Sequence, residues 1–201
     1  MSRSRRVASA LAVLLVTPAL ISGVGPRQNF EERLVAAHNR ERDAMGVGPL
    51  KWDPVLARNA RDWARYLART GKFEHSPDDP WYSDPEGENL WAGTVGYYQP
   101  EAMVGLWRAE KRDFKTGVFP NNSRDGRVEN VSHYTQLIWA RTGSVGCALE
   151  KGSDEDVLVC RYSQAGNVLG ERPIYLPAFS RVARVNHFRP IQRPCSNAVY
   201  L

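Results

Sequence analysis

Apolar residues recur at the spacing of an α-helix in four stretches of the chain. Each stretch collects its apolar side chains on one face, which is typical of helices that pack against a core. The second stretch has the clearest boundaries, because Asp53 is placed to cap its first turn and Gly71 to end its last. The pattern predicts helices over residues 29–48, 52–71 and 100–114 and a shorter one that begins near residue 132.

The shortest of these helices carries a titratable residue at its start. Ser132 is predicted as its N-cap and His133 as its first helical residue. The apolar residues Tyr134, Leu137 and Ile138 follow at helical spacing. A histidine at the mouth of so apolar a segment is a candidate for chemistry.

Two later segments are predicted to be strands of a hairpin. Residues 144–150 and 157–163 are rich in apolar and β-branched side chains, and the turn-forming residues 151–156 separate them. Antiparallel neighbours place Cys147 and Cys160 across from each other, so we predict a disulfide between them. The third cysteine, Cys195, is then either free or paired with another molecule. Helices around a central pair of strands, with further strands in the loops, make the class α+β.

The stretch between the second and third helices is predicted to be a loop, because prolines and glycines interrupt it throughout residues 72–100. A loop of this length in a domain is usually either disordered or functional. Its aromatic residues argue for order. Four of them offer an apolar binding surface, namely Trp81, Trp91, Tyr97 and Tyr98. For each of these residues, packing of the loop itself is an equally good explanation. The same stretch carries His75 and Glu88.

The first 25 residues have the pattern of a signal peptide, with arginines followed by a short apolar run. The remaining residues, 26–201, suit one domain, in which 176–201 is either a last strand or a surface arm. Removing the leader, with its three arginines, lowers the formal net charge from +5 to +2. This balance gives no support for nucleic-acid binding. We expect a secreted or envelope-associated protein with no stable membrane span after cleavage.

One charged residue stands out in the third helix. Glu110 lies on the same helical face as Trp107 and Phe114. A carboxylate in an apolar stripe is costly unless it is paired, hydrogen-bonded or directed into a polar cavity. Glu110 therefore needs a polar partner from elsewhere in the chain.

Four residues are candidates for a shared site: His75, Glu88, Glu110 and His133. Two imidazoles with carboxylates suit zinc or another divalent ion, and they equally suit acid–base chemistry. Their spacing matches no compact metal motif, so spacing alone slightly favours histidines that only hold segments together. For His38, inside the first helix, a buried structural role is expected.

Several segments, in order along the chain, resemble those of the CAP superfamily, also called the SCP domain. This family comprises the cysteine-rich secretory proteins, antigen 5 and the pathogenesis-related 1 proteins. The two signature segments are "SHYTQLIW" (132–139) with "VGCAL" (145–149), and "VLVCRYSQAGNVLGERPIY" (157–175). Further matching segments are "AAHNRER" (36–42), "LKWDPVLARNARDWA" (50–64), "FEHS" (73–76), "GENLW" (87–91) and "LWRAEKRDF" (106–114).

The resemblance implies a three-layer α-β-α sandwich with a central antiparallel sheet and a large cavity. It also implies a tetrad in that cavity, carried here by His75, Glu88, Glu110 and His133. In some members a divalent ion such as zinc binds to the two histidines, here His75 and His133. One departure is Ser132, which stands where the family often has glycine.

The family fold alone does not fix the function. We expect an exported binding module for a small apolar ligand such as a lipid or sterol, an envelope component, or an envelope or host partner protein. The alternative is a metal-dependent, protease-like hydrolase in which His75 and His133 hold the ion and Glu88 or Glu110 acts as base. A third reading is that the tetrad is a polar network that only stabilises the fold.

Overall fold

The computed structural model describes residues 26–77 and 85–175. Our predictions for the leader, the C-terminal segment, Cys195 and Trp81 lie outside the described residues. The helices are α1 (Pro26–Ala44), α2 (Pro54–Thr70), α3 (Pro100–Ala109) and α4 (Ser132–Leu137), with 3-10 turns at Glu110–Arg112 and Val128–Asn130. The strands are β1 (Lys51–Trp52), β2 (Gly87–Thr94), β3 (Ser144–Lys151) and β4 (Glu155–Ser163).

The four strands form one sheet in the order β1-β3-β4-β2. The hairpin of β3 and β4 is antiparallel, as predicted, and β2 lies antiparallel to β4 on its far side. The two-residue strand β1 runs parallel to β3 and pairs only with Ser144 and Val145. The sheet is therefore antiparallel apart from this short edge, and the predicted α+β class is confirmed. Among the described residues, no helix is long and apolar enough to cross a membrane.

Alternation along the strands builds two cores, one on each face of the sheet. In β4, Val157 and Val159 belong to a cluster with α2, whereas Leu158 and Cys160 belong to a cluster with α1, α3 and α4. Successive side chains of a strand point to opposite faces, so one strand serves both layers. This arrangement gives the α-β-α sandwich. The Cys147–Cys160 disulfide joins directly opposed residues of the hairpin on the second face.

Helix α2 follows the sequence prediction at both ends. The Asp53 carboxylate accepts hydrogen bonds from the N–H groups of Val55 and Leu56, and Gly71 ends the helix with a φ of 68°. The helix approaches β3 so closely that a Cβ at Gly146 would lie 2.2 Å from the nitrogen of Ala57. Only glycine fits at that position of β3.

The predicted loop at 72–100 was wrong over residues 87–94, which form strand β2. Every residue of β2 pairs with β4, a strand about seventy positions later, so the partner that makes it a strand is not local. Gly87, the first residue of β2, is not a turn residue. It leaves room for a neighbouring side chain, since a Cβ at this position would lie 2.1 Å from Oε1 of Gln136. Glu88 therefore stands on a rigid strand.

The first helix spans Pro26–Ala44 where 29–48 was predicted, and two helix boundaries near the candidate residues also differ from the predictions. The third helix ends at Ala109, so Glu110 is its C-cap and begins a 3-10 turn. Ser132 is not the N-cap of α4, because it is already the first helical residue and Val131 is the cap. No side chain of Val131 or Ser132 makes a capping hydrogen bond at the start of α4. The group that satisfies this helix end comes from Glu110.

Candidate functional site

The first pair of candidate residues joins the loop after α2 to strand β2. His75 Nδ1 donates a hydrogen bond of 2.7 Å to Glu88 Oε1, and the N–H of Ser76 donates to the same oxygen at 3.1 Å. The Glu88 side chain is 7% exposed, whereas that of His75 is 63% exposed. The hydrogen bond to Glu88 raises the pKa of His75 because it stabilises the imidazolium form.

The other oxygen of Glu88 faces an arginine whose side chain is 13% exposed. Glu88 Oε2 lies 3.0 Å from Nε of Arg161, which neighbours it across the β2–β4 ladder. The pair is in ionic contact but out of line for a hydrogen bond, so both atoms lack a hydrogen-bond partner among the described residues. Burial raises the pKa of Glu88, but the His75 hydrogen bond and the Arg161 charge outweigh it and the net pKa is lowered. Glu88 is therefore a carboxylate at neutral pH.

The second pair joins the end of α3 to the start of α4. His133 Nδ1 donates to Glu110 Oε1 at 2.6 Å, and the N–H of Tyr134 donates to Glu110 Oε2 at 3.0 Å. The carboxylate thus occupies the place that a capping side chain takes at a helix N-terminus. The Trp107 ring stacks on the His133 ring with centroids 6.2 Å apart. His133 and the Tyr134 backbone are therefore the polar partners that a carboxylate on an apolar helix face needs.

Arg42 holds the opposite end of α4. Its buried guanidinium donates to the carbonyl oxygens of Leu137 and Trp139 at 3.0 and 2.9 Å, and to that of Thr142 at 2.9 Å. Carbonyls at a helix C-terminus lack partners within the helix and attract a positive charge. Burial lowers the pKa of Arg42 to about 10, so the group stays charged at neutral pH. Sequence reasoning missed this residue.

A further buried carboxylate was visible in the sequence only as an interruption of the apolar stripe of α1. Glu41 Oε1 accepts hydrogen bonds from Lys111 Nζ at 2.8 Å and from the Tyr134 hydroxyl at 2.9 Å. It ties α1 to the segment that carries Glu110 and to α4. The rule that singled out Glu110, a carboxylate on an apolar face, would also have found Glu41.

A buried hydrogen-bond chain leads from α1 to His133. His38 Nδ1 donates to the Leu34 carbonyl at 2.7 Å, and its Nε2 accepts from the Tyr162 hydroxyl at 2.9 Å. Asn89 Nδ2 donates to the Tyr162 oxygen at 3.3 Å and to the His133 carbonyl at 3.1 Å. Burial lowers the pKa of His38 to about 4, so the ring is neutral. The structural role expected for His38 is confirmed.

The candidate tetrad therefore consists of two histidine–carboxylate pairs. In both pairs Nδ1 is engaged, and within 26–77 and 85–175 no hydrogen bond reaches Nε2 of His75 or His133. Strand alternation turns Asn89 toward α4, while its neighbour Glu88 lies beside Arg161. In that same part of the chain, no group of three or more His, Cys, Asp or Glu side chains is arranged to hold a metal ion.

A polar cavity of about 600 Å³ opens beside Glu110. Charged side chains such as Arg112 and Arg127 line it, with Leu106 at its edge. Of the aromatic residues expected to offer an apolar surface, Trp91 is buried and Tyr98 packs edge-on against it, whereas Tyr97 is 73% exposed. Two exposed apolar side chains lie close in sequence to the pairs, namely Phe73 and Leu106, at 59% and 53% exposure.

The family model for the cysteine-rich secretory proteins, named CAP, matches residues 35–162. The chain belongs to the CAP family. Among similar CAP relatives, the PR-1 type pathogenesis-related protein of Sambucus nigra is 33% identical over 82% of this chain and 93% of its own length. Pathogenesis-related protein 1 of Arabidopsis thaliana is 32% identical over 84% of this chain and 99% of its own length.

Solved structures agree on the CAP fold at low sequence identity. A crystal structure of NaASP2 with Zn²⁺ is 20% identical, with a TM-score of 0.61 over 76% of this chain and 87% of that one. The structure of BmVAL-1 is 22% identical, with a TM-score of 0.57 over 80% and 88% of the two chains. This similarity confirms the α-β-α sandwich that the resemblance implied.

Proposed function

We propose that this CAP chain is an exported binding module and not a hydrolase. The observation that carries the proposal is that the carboxylate oxygens of the two pairs are already committed. One oxygen of Glu88 accepts hydrogen bonds from His75 and from the Ser76 backbone, and the other lies against Arg161. The two oxygens of Glu110 accept hydrogen bonds from the His133 ring and from the Tyr134 backbone N–H. A general base needs an oxygen within reach of the proton it removes, and every oxygen of these two carboxylates already faces a donor or a cation of the protein.

The groups left for a ligand are the Nε2 edges of the two imidazoles. A histidine whose other ring nitrogen is held by a carboxylate is the usual arrangement around a protein-bound metal. The donor chemistry of His75 and His133 thus suits a divalent ion such as zinc, with Glu88 and Glu110 fixing the two rings. When bound, such an ion supplies a positive point to which a polar ligand group can coordinate.

The surroundings favour an amphipathic ligand, such as a lipid or a sterol with a polar head. The polar head has a place in the charged cavity beside Glu110. The apolar part has Phe73 and Leu106, both more than half exposed and both close in sequence to a candidate pair. The exported location rests on the predicted leader and on membership of a family whose members are typically secreted or extracellular.

Metal binding is tested by calorimetric titration of the chain from residue 26 onward with zinc. We expect saturable binding that the double variant His75→Ala/His133→Ala loses. The control is His187→Ala, which removes a histidine outside the described residues and leaves both pairs intact. Equal zinc binding by the double variant and the wild type would reject these two ligands.

Ligand binding and turnover are tested separately. We expect saturable binding of a fluorescent sterol or fatty acid, weakened by Phe73→Ser, and no turnover of peptide or ester substrates. The absence of binding to sterol, fatty acid and phospholipid vesicles alike would reject the amphipathic ligand. Turnover that disappears in the double histidine variant would instead establish the hydrolase.

A further inference from the structure

A different part of the molecule, on the far side of β3 from β4, leaves a strand edge open. Strand β1 covers that side only at Ser144 and Val145. From Gly146 to Lys151, no strand in the described part of the chain pairs with β3 there. An open edge presents unpaired N–H and C=O groups and is a template for an added strand.

The identity of the open backbone groups follows from the pairing already present. The Val145 carbonyl accepts a hydrogen bond from Asp53 N–H, so Val145 points its backbone groups away from β4. Backbone groups alternate in direction along a strand, and β3 pairs with β4 without a bulge. The N–H and C=O groups of Cys147 and Leu149 therefore point toward the open side.

A groove of about 460 Å³ runs along this edge between α1 and α2. Its floor is residues 147–150 of β3, and its walls are Phe30 and Glu31 of α1 and Arg61 and Arg65 of α2. It is separate from both histidine–carboxylate pairs.

The two walls differ in chemistry. On the α1 side, Phe30 and Leu149 both pack against the apolar cluster of that layer. On the α2 side, Arg65 lies 3.3 Å from Glu150, while Arg61 has no carboxylate partner among the described residues. A carboxylate on the inserted chain would pair with Arg61, and an apolar side chain would contact Phe30.

We propose that this groove binds an extended peptide segment of a partner protein by adding it as a strand to β3. Successive side chains of an added strand face opposite layers, so the recognised segment alternates acidic residues, directed at Arg61 and Arg65, with apolar residues, directed at Phe30 and Leu149. Backbone hydrogen bonds to Cys147 and Leu149 supply affinity, and the alternation supplies specificity. This interaction surface goes beyond the ligand site proposed above.

The probe is a fluorescein-labelled seven-residue peptide of alternating glutamate and valine, titrated against the full chain by anisotropy. We expect saturable binding. A peptide of the same composition with all glutamates before all valines is the matched control and is expected to bind at least about tenfold more weakly, because only about half of its side chains face the correct wall. Equal binding of the two peptides would contradict strand addition.

The protein variants test the role of charge. Arg61→Glu is expected to weaken the glutamate–valine peptide by about tenfold or more and to improve binding of a lysine–valine peptide. Arg58→Glu makes the same charge change on α2 outside the groove and is expected to leave both affinities unchanged. Loss of binding in both variants alike would show a general charge effect and overturn the proposal.

Amide hydrogen exchange tests the backbone contacts. The amides of Cys147 and Leu149 are expected to exchange quickly in the free chain and to become protected with the peptide, whereas that of Ala148 is protected throughout. Protection of all three in the free chain would mean that a second copy or a segment of this chain already covers the edge. That result, or fast exchange with saturating peptide, would overturn the proposal.

Discussion

Acidification should destabilise the fold through His38 before most carboxylates are protonated. The ring is fully buried and neutral, and its pKa falls from the ordinary 6.5 to about 4. Above pH 6.5 His38 is neutral in both the folded and the unfolded chain, so its titration costs nothing. Below pH 6.5 His38 binds a proton in the unfolded chain but stays neutral in the folded chain. The free energy of unfolding therefore falls until the pH reaches about 4.

The size of the loss follows from the same two values. Each unit of pKa difference is worth about 1.4 kcal/mol, so His38 should remove about 3 kcal/mol of unfolding free energy between pH 6.5 and pH 4. This is a substantial part of the 5–15 kcal/mol by which typical domains are stable. The loss is expected to be steepest between pH 6 and pH 4.5, roughly midway between the two pKa values.

The assay is urea unfolding from pH 4 to pH 8 for the wild type and for His38→Gln. Glutamine keeps one donor for the Leu34 carbonyl and one acceptor for the Tyr162 hydroxyl, but it does not titrate. Carboxylates titrate in both proteins and cancel in the difference. We expect the stability difference between wild type and variant to shrink by about 3 kcal/mol as the pH falls.

His75 provides a control of opposite sign. Its pKa is raised by Glu88, so its contribution is present at low pH and is lost as the pH rises through the folded-state value. The wild type minus His75→Gln difference should therefore decrease toward high pH. A flat difference curve for His38 would mean that the ring titrates alike in both states, and the argument from burial would be refuted.

Three further predictions concern stability, measured as urea unfolding free energies. Arg42→Met should cost about 4 kcal/mol, because the buried carbonyls at the end of α4 lose their donors; a cost below 1 kcal/mol would contradict this. Gly146→Ala should cost about 2 kcal/mol, since the new Cβ meets the α2 backbone, while Gly143→Ala has open space and should change stability by less than about 0.5 kcal/mol. Reducing the Cys147–Cys160 bond should cost about 3 kcal/mol, and equal unfolding curves with and without reductant would argue against that linkage.

Sequence reasoning succeeded where the deciding interactions are local. The bounds of α2 followed from Asp53 and Gly71, each of which acts within one turn of the helix end. The hairpin of β3 and β4 followed from two apolar runs and a short turn. Strand β2 was missed because its partner lies far along the chain and its own glycines read as loop signals.

The site divides in the same way. Glu110 was predictable because a carboxylate on an apolar helix face must find a partner, whatever that partner is. The failure of Ser132 as a cap was not predictable, since the carboxylate that replaces it lies 24 residues before Tyr134, whose N–H it accepts. Arg42 gave no local signal, because its carbonyl partners lie about 95 to 100 residues later and meet it only in the folded chain.

The two candidate histidines differ in how firmly the fold holds them. His133 is fixed at its ring by Glu110 and Trp107 and at its backbone by Asn89, on a helix anchored at both ends. His75 lies on a loop and is held by the single hydrogen bond to Glu88, with most of its side chain exposed. A metal or ligand held by both rings, as proposed above, would meet one ordered group and one that must still lose its freedom. Most of the conformational entropy lost on binding is therefore lost by His75 and its loop. A substitution that stiffens that loop should raise affinity without changing any contact to the ligand.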